Sequence, residues 1–195
     1  MQYFKRIAPG LKANVFAYDY TGYGESSGDP SEEDIYADIE ASFIYLRDTM
    51  GVPWSRIVLF GRSLGTAATT HLATLTPVRG IILQCPMLSV FRIAFNSRFT
   101  FPGDQLVSAD RMGSIEAPVL VIHGTCDEIV PFWHGQEIFA LAKNQSVKPF
   151  WVEGAMHNDI ETLVREAYIG RIAEYLVWLE TSPIPSELAS QELKI

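Results

Sequence analysis

Short apolar runs alternate with longer amphipathic stretches along most of the chain. The runs are rich in β-branched and aromatic residues, which is typical of strands buried in a parallel sheet. They cover residues 14–20, 56–60, 80–85, 118–124 and 149–154. Strands that alternate with helices in this way predict an α/β fold, with a mostly parallel sheet and helices on both faces.

Four of the remaining stretches show helical patterning. The first begins at Ser31, which can cap a helix, and keeps apolar residues at helical spacing until Gly51 ends it. The others are predicted over residues 63–74, 133–143 and 159–180. Ligands of open parallel sheets bind at the carboxyl ends of the strands, so residues just after each apolar run are the first candidates for chemistry.

Length and patterning together predict one domain. A chain of 195 residues is of ordinary size for a single domain. We expect an α/β domain over residues 1–180. Residues 181–195 contain two prolines and follow the last helical pattern, so they are predicted to form a loosely attached C-terminal tail.

Composition narrows the range of partners. The net charge is −8, and a chain without a Lys/Arg cluster is a poor match for nucleic acid or anionic lipid. No apolar run approaches the roughly 20 residues of a membrane-spanning helix. Cys85 and Cys126 lack C-x-x-C spacing, which favours a reduced, cytoplasmic environment. No His, Cys and Glu set has metal-ligand spacing, so neither a metal nor a cofactor is predicted.

The segment from Gly61 to Gly65 fits the G-x-S-x-G pattern, between an apolar run and a helical pattern. This is the context of a nucleophile elbow, in which Ser63 would sit on a tight turn that needs small neighbours. The Leu64 N–H, at the start of the following helix, would then stabilise an oxyanion. The alternative is a glycine-rich turn with an inert serine.

A serine nucleophile needs a base and an orienting acid, which follow it in the order acid, then histidine, in this kind of fold. Asp127 comes just after the run at 118–124, and His157 just after the run at 149–154. Three residues in the required order, each following a different predicted strand, are far more specific than any single motif.

Other acidic residues fit this role less well. Glu128 adjoins Asp127 but is expected to point elsewhere, because side chains alternate along an extended chain. Asp159 is expected to cap the last helix. Asp19 precedes Ser63, which is the wrong order, and the "GYGESSG" stretch after it is interpreted as a glycine-rich turn at the rim of the site.

Three further histidines have simpler explanations than catalysis. His71 lies inside a helical pattern and is expected to pack or to face solvent. His123 ends a strand four residues before Asp127 and is expected to make a structural hydrogen bond. His134 lies in the next helix and is expected at the surface.

Several segments together resemble the α/β-hydrolase domain 17 group, serine hydrolases that remove palmitate from proteins. These are "VFAYDYTGYGESSG", "YADIEA", "VLFGRSLGT", "PVLVIHGTCDEIV" and "WVEGAMHND". The resemblance implies an α/β-hydrolase fold, with Ser63 as nucleophile, His157 as base and Asp127 as acid. It also implies a long-chain acyl thioester or ester as substrate, carried by an acylated protein or a lipid-like molecule.

An aromatic segment follows the third run. Phe91, Phe95 and Phe99 recur every four residues, as on one helix face, and Phe101 follows them. They are interpreted either as a small cap helix packed on the sheet or as an apolar wall for an acyl chain, and both interpretations can hold together.

The chain also departs from the family pattern. Arg62 replaces a residue that is more often uncharged, so it could favour an acidic substrate or project to solvent. Met156 stands where glycine is usual and could restrict the approach of His157. The HG-type loop that gives the second oxyanion donor, the strands before it and the N-terminal cysteine cluster that anchors the family to membranes are not found.

We therefore expect an N-terminally incomplete hydrolase in the cytoplasm, which could be peripheral to the membrane in a full-length form. The first run, at 14–20, should either slide across to pair with the run at 56–60 or be poorly held. The predicted function is palmitoyl-protein thioesterase. A general carboxylesterase or lipase-like enzyme, and a catalytically silent hydrolase fold that binds an acylated partner, are the alternatives.

Overall fold

The fold is built around four parallel strands. The computed structural model describes residues 8–99, 102–191 and 193–195. Within them the sheet has the order β1-β2-β3-β4. The strands are β1 (Val58–Arg62), β2 (Gly80–Gln84), β3 (Val119–Gly124) and β4 (Phe150–Val152). Four of the five predicted strands are therefore confirmed, and all four end at the same edge of the sheet.

The predicted strand at 14–20 is wrong, because these residues form no strand. A strand needs a neighbour to pair its backbone N–H and C=O groups, and nothing in the described sheet pairs with this run. Tyr18 and Tyr20 are partly buried against the core, whereas Val15 and Phe16 are exposed. The run therefore does not pair with the run at 56–60, which was the first of its two expected arrangements.

Helices precede, connect and follow these strands. They are α1 (Glu32–Ile44), α2 (Gly65–Leu75), α3 (Val90–Ala94), α4 (Ala109–Met112), α5 (Phe132–Leu141), α6 (Ile160–Leu163), α7 (Arg165–Thr181) and α8 (Ser186–Ala189). Ser31 caps α1 as predicted, since its side chain accepts the Asp34 N–H at 3.0 Å. The helix predicted over 159–180 is instead two helices, because Val164 leaves the helical region with φ −131° and ψ 43°.

Alternate residues of the central strands enter two different apolar clusters. Ile81 and Leu83 pack on one face of the sheet, together with side chains from α1, α2 and α5. Ile82 packs on the other face, where Tyr175 and other residues of α7 cover it. This alternation places helices on both faces, as predicted, and leaves the carboxyl edge of the sheet free for a site.

The C-terminal residues pack on the body of the molecule, so the loose attachment expected for them is wrong. Leu188 in α8 is buried within the core. The Lys194 N–H donates to the Leu75 carbonyl at 3.0 Å, and Arg47 donates to the Ile195 carbonyl at 3.1 Å. A proline-containing sequence suggested a free tail, but apolar residues between the prolines and the C-terminus supply buried contacts. Within the described residues, no helix has both the length and the apolar character needed to cross a bilayer.

Candidate active site

Three strand ends meet at the carboxyl edge of the sheet. Ser63 follows β1, Asp127 follows β3 and His157 follows β4. His157 Nε2 lies 3.1 Å from Ser63 Oγ, and His157 Nδ1 lies 2.7 Å from Asp127 Oδ2. If the Nδ1–H donates to the carboxylate, Nε2 is left to accept the serine proton. The three residues singled out in the sequence thus form one continuous chain of hydrogen bonds.

Ser63 sits on a strained turn between β1 and α2. Its φ is +50°, in the left-handed region that residues other than glycine rarely occupy. A Cβ at Gly61 would collide with the Gly65 carbonyl and lie 2.5 Å from Thr69 Oγ1, so only glycine fits there. At Gly65 an added Cβ would lie 3.4 Å from Tyr20 Oη, an ordinary contact. The tight packing of the turn therefore depends on Gly61 more than on Gly65.

The Asp127 carboxylate is buried and accepts hydrogen bonds on both oxygens. Oδ1 accepts the N–H groups of Ile129 at 3.0 Å and Val130 at 2.7 Å. Oδ2 faces His157 at 2.7 Å and His123 Nε2 at 3.3 Å. Burial alone would raise the pKa of Asp127, but the hydrogen bonds from the two histidines and the Val130 N–H outweigh it and hold the pKa well below its usual range.

The expectation for His123 is confirmed, whereas the expectation for His134 is not. His123 makes the expected structural hydrogen bond, from Nε2–H to the Val130 carbonyl at 2.9 Å. His134 was expected at the surface, and this is wrong, because its side chain is fully buried. It shares the inner face of α5 with Ile138, four residues on, a spacing that could have revealed it. Burial, followed by the charges of His123 and Arg92, lowers the pKa of His134 to about 4.

The main chain of His157 is held from both sides. Glu128 was expected to point elsewhere, but its Oε2 accepts the His157 N–H at 3.1 Å. Arg62 Nη2 donates to the His157 carbonyl at 3.2 Å and to Asn158 Oδ1 at 2.8 Å. Neither contact was predicted, because each depends on the exact turn that follows β4. The sequence predicted that Arg62 either favours an acidic substrate or projects to solvent, and this contact with the loop of His157 is neither.

Two other residues of this loop had expected roles. Met156 is 52 % exposed, and its restriction of the approach of His157 stays a prediction. Asp159 stands at the start of α6, as predicted, but its side chain makes no capping bond to the helix. Its Oδ1 instead accepts the Met156 N–H at 2.7 Å, which closes the loop back on itself.

One cluster brings together residue types that bind metals. Cys85, His123 and Asp127 present ligand atoms within 4.8 Å of one another, although their sequence spacing gave no sign of it. A metal would need the thiolate form of Cys85, yet burial, followed by the charge of Asp127, raises the pKa of this thiol. The Asp127 oxygens already accept N–H groups. The cluster therefore fits a hydrogen-bonded support for Asp127 better than a metal site.

The aromatic segment does not form the single helix face that was predicted. Helix α3 ends at Ala94, and Asn96 takes a left-handed φ of +46° that turns the chain away. The rings of Phe91 and Phe95 lie 5.8 Å apart, in an edge-to-face contact, but Phe99 lies beyond the helix. Phe95 is 68 % exposed and Phe99 77 % exposed, while Phe101 falls outside the described residues.

A serine on a strained strand-to-helix turn, followed in order by an acid and a histidine on later strand ends, defines the α/β hydrolase class. The model of the alpha/beta hydrolase family matches residues 2–194, and the chain belongs to this family. Within it, the chain is 42 % identical over 167 residues to human alpha/beta hydrolase domain-containing protein 17C, covering 85 % of this chain and 50 % of that protein.

A second relative shows the same relation. The chain is 41 % identical over 167 residues to alpha/beta hydrolase domain-containing protein aho-3 of Caenorhabditis elegans, covering 85 % of this chain and 49 % of that protein. The chain thus spans about half the length of the curated relatives it matches. The resemblance to the domain 17 group is confirmed over the matched part.

Solved structures support the fold independently. An esterase from Pyrococcus furiosus superimposes with a TM-score of 0.76 at 19 % identity, covering 91 % of this chain and 73 % of that one. A monoacylglycerol lipase from Paleococcus ferrophilus superimposes with a TM-score of 0.71 at 21 % identity, covering 91 % and 90 % of the two chains. At such identities the likeness concerns the fold.

Proposed function

We propose that the chain carries the site of a serine hydrolase that cleaves acyl thioesters or esters. Ser63 is the nucleophile and His157 is the general base. Asp127 orients the base and stabilises its imidazolium form. The observation that carries this proposal is the continuous path from Ser63 Oγ through His157 to Asp127, with steps of 3.1 Å and 2.7 Å. The left-handed φ of Ser63 supports it, because strain of this kind is common at active sites.

The geometry supports an acyl-transfer mechanism in two halves. Ser63 Oγ attacks the acyl carbonyl carbon while His157 Nε2 takes the hydroxyl proton, and the Asp127 carboxylate stabilises the imidazolium. Leu64 is the N-terminal cap of α2, and its N–H is the proposed donor to the oxyanion that forms. As the intermediate collapses, the leaving thiol or alcohol receives the proton from His157. Water activated by the same histidine then releases the acid and restores Ser63.

The favoured substrate is a long-chain acyl thioester, as in depalmitoylation of proteins. The likeness to the domain 17 group supports this choice, and so does the exposed aromatic surface of Phe95 and Phe99 on the segment after β2. A general carboxylesterase or lipase-like activity is the second candidate. It is favoured by the fold neighbours, whose names are esterase and monoacylglycerol lipase.

Labelling with a fluorophosphonate probe tests the serine hydrolase assignment. The probe should attach covalently to the peptide that contains Ser63 and should not attach to the Ser63→Ala variant. Ser114→Ala, at an exposed serine whose hydroxyl donates to the Arg111 carbonyl, is the matched control and should label like the wild type. A folded wild-type chain that does not label, or a Ser63→Ala variant that labels equally, would contradict the proposal and would leave a silent binding domain.

Comparison of substrates then separates the two candidate activities. A palmitoyl-thioester peptide should give a higher kcat/KM than p-nitrophenyl acetate if the site is built for long acyl chains. The reverse order, with short esters preferred, would favour the carboxylesterase.

A further inference from the structure

We propose that Arg62 is a positioning residue that holds the loop of the catalytic histidine through its main chain. The inference rests on the proposed function, since it assigns His157 the role of general base. Arg62 directly precedes the proposed nucleophile, and its guanidinium reaches across the edge of the sheet to the loop after β4. One residue of the nucleophile strand thus ties the base to the nucleophile.

The contacts at His157 secure both polar groups of its main chain. Arg62 Nη2 donates to the carbonyl at 3.2 Å and, at 2.8 Å, to Asn158 Oδ1 on the next residue. Glu128 Oε2 accepts the N–H at 3.1 Å. The Cys85 thiol approaches the same carbonyl only at 4.0 Å. Arg62 is therefore the strongest donor on the carbonyl side, and its charge strengthens the bond.

Glu161 links Arg62 to the core. Tyr168 Oη donates to Gln84 Oε1 at 2.8 Å, and Gln84 Nε2 donates to Glu161 Oε1 at 2.8 Å. That same carboxylate oxygen lies 3.9 Å from Arg62 Nη1. Tyr168 and Gln84 are fully buried, and Gln84 is the register partner of Arg62 on β2. Hydrogen bonds therefore run from the core to Glu161, and an ion pair of 3.9 Å continues from Glu161 to Arg62.

The ion pair with Glu161 is the weaker part of this arrangement. Arg62 is 34 % exposed, and an N–O separation of 3.9 Å at the surface contributes little to stability. What the planar guanidinium adds is direction, because it can face the carbonyl, Asn158 and Glu161 together, which a single ammonium group cannot do with the same geometry. We therefore expect the hydrogen bonds, rather than the charge alone, to place the base.

The contacts of Arg62 fit a positioning role better than recognition of an acidic substrate. Nη2 already donates to two acceptors, and Nη1 faces a carboxylate that offsets the charge. A residue that binds substrate would change KM for anionic substrates, whereas a residue that places the base changes kcat for every substrate.

Arg62→Met tests the proposal, because it keeps the aliphatic length and removes the donors. We expect kcat to fall between about tenfold and 100-fold, with little change in KM, for both p-nitrophenyl acetate and the anionic p-nitrophenyl hemisuccinate. Arg62→Lys should recover part of this loss. Arg56→Met is the matched control, since this exposed arginine lies just before β1, at the opposite end of the strand from Arg62. It should leave kcat unchanged.

A second measurement does not depend on activity. Amide hydrogen exchange of residues 154–160 should be faster in Arg62→Met than in the wild type or in Arg56→Met, because the loop loses its carbonyl anchor. Unchanged exchange and unchanged kcat, or an increase in KM for the anionic ester alone, would overturn the role of Arg62. Failure of the wild type to react with a fluorophosphonate would instead remove the proposed function, and with it the catalytic meaning of this contact.

Discussion

Two regions border the candidate site, and they are held in different ways. The strand-end loops, residues 61–65, 124–130 and 153–158, are joined by hydrogen bonds that converge on His157 and Asp127, both of which are buried. The aromatic segment, residues 86–99, has one short helix, and its outer rings face solvent. The groups proposed to do chemistry are thus fixed by the sheet, while the groups proposed to contact an acyl chain lie on a short local structure.

The difference shows how such a fold can keep its chemistry while its substrate contacts vary. A change in the aromatic segment disturbs few buried contacts, so it should alter binding with little effect on the triad. A change in the strand-end loops removes a bond on which the others depend. This division is common where functional groups lie on loops carried by a rigid scaffold.

The largest effect is expected at the strand-end loops, for Asp127→Asn. The asparagine carbonyl oxygen would keep the N–H groups of Ile129 and Val130, so the NH2 group would face His157 Nδ1 and favour the wrong tautomer. The negative charge that stabilises the imidazolium would also be lost, so kcat should fall by about 10⁴-fold. Ester hydrolysis and the rate of fluorophosphonate labelling both measure this loss. Asp110→Asn, at an exposed aspartate on α4, is the control. An Asp127→Asn variant with activity close to that of the wild type would mean that the orienting acid is another residue.

The sequence predicted the positions of these three residues for a general reason. Parallel strands end at one edge, so residues that follow different strands must lie near one another, whatever the details of the turns. Glu128 and His134 were mispredicted because their orientation depends on local geometry. Glu128, although exposed, reaches the His157 N–H from the loop after β3, and His134 faces the core according to where α5 begins.

Two larger errors also have physical causes. The run at 14–20 has the composition of a strand, but composition cannot supply the neighbouring strand that its backbone needs. The spacing of Phe91, Phe95 and Phe99 matches a helix, but the left-handed φ of Asn96 ends that helix after Ala94. Both signals are local, and in each case pairing or backbone geometry decided the outcome.

A smaller effect, on stability, is expected where the aromatic segment meets α5. His134 Nδ1 accepts the Leu88 N–H at 3.2 Å, so protonation of this buried ring would break a bond at the base of the segment. The folded pKa is about 4, below the unfolded value of about 6.5, so the unfolded chain binds the extra proton. Stability should therefore fall as the pH decreases from about 6.5 towards 4, by about 2 kcal/mol at pH 5.

Denaturant unfolding at pH 7 and pH 5 measures this loss. His134→Asn keeps an acceptor for Leu88 and should remove most of the pH dependence. His71→Asn, at a partly exposed histidine on α2, is the control and should leave the pH dependence of stability unchanged. Asp127 does not contribute to the pH dependence in this range. Its pKa is lower in the folded state, so its contribution to stability is complete above the unfolded pKa of about 4 and is lost only below that pH. An unchanged pH dependence in His134→Asn would contradict the assignment.

The smallest effect is expected on the exposed side of the aromatic segment, for the double variant Phe95→Ser and Phe99→Ser. Both rings are largely solvent-exposed, so the free energy of unfolding should change by no more than about 0.5 kcal/mol. If the rings contact an acyl chain, KM for a palmitoyl thioester should rise a few-fold, which corresponds to roughly 1 kcal/mol of lost apolar contact. KM for p-nitrophenyl acetate should stay the same.

Tyr45→Ser is the matched control for this double variant. Tyr45 is also an exposed aromatic residue, but it precedes β1 and so lies towards the opposite end of the sheet from the candidate site. It should leave both KM values unchanged. Equal increases in KM for the long and short substrates would indicate that Phe95 and Phe99 affect the site as a whole. No increase for either substrate would place the acyl chain elsewhere, and the two regions would then no longer divide chemistry from substrate contact.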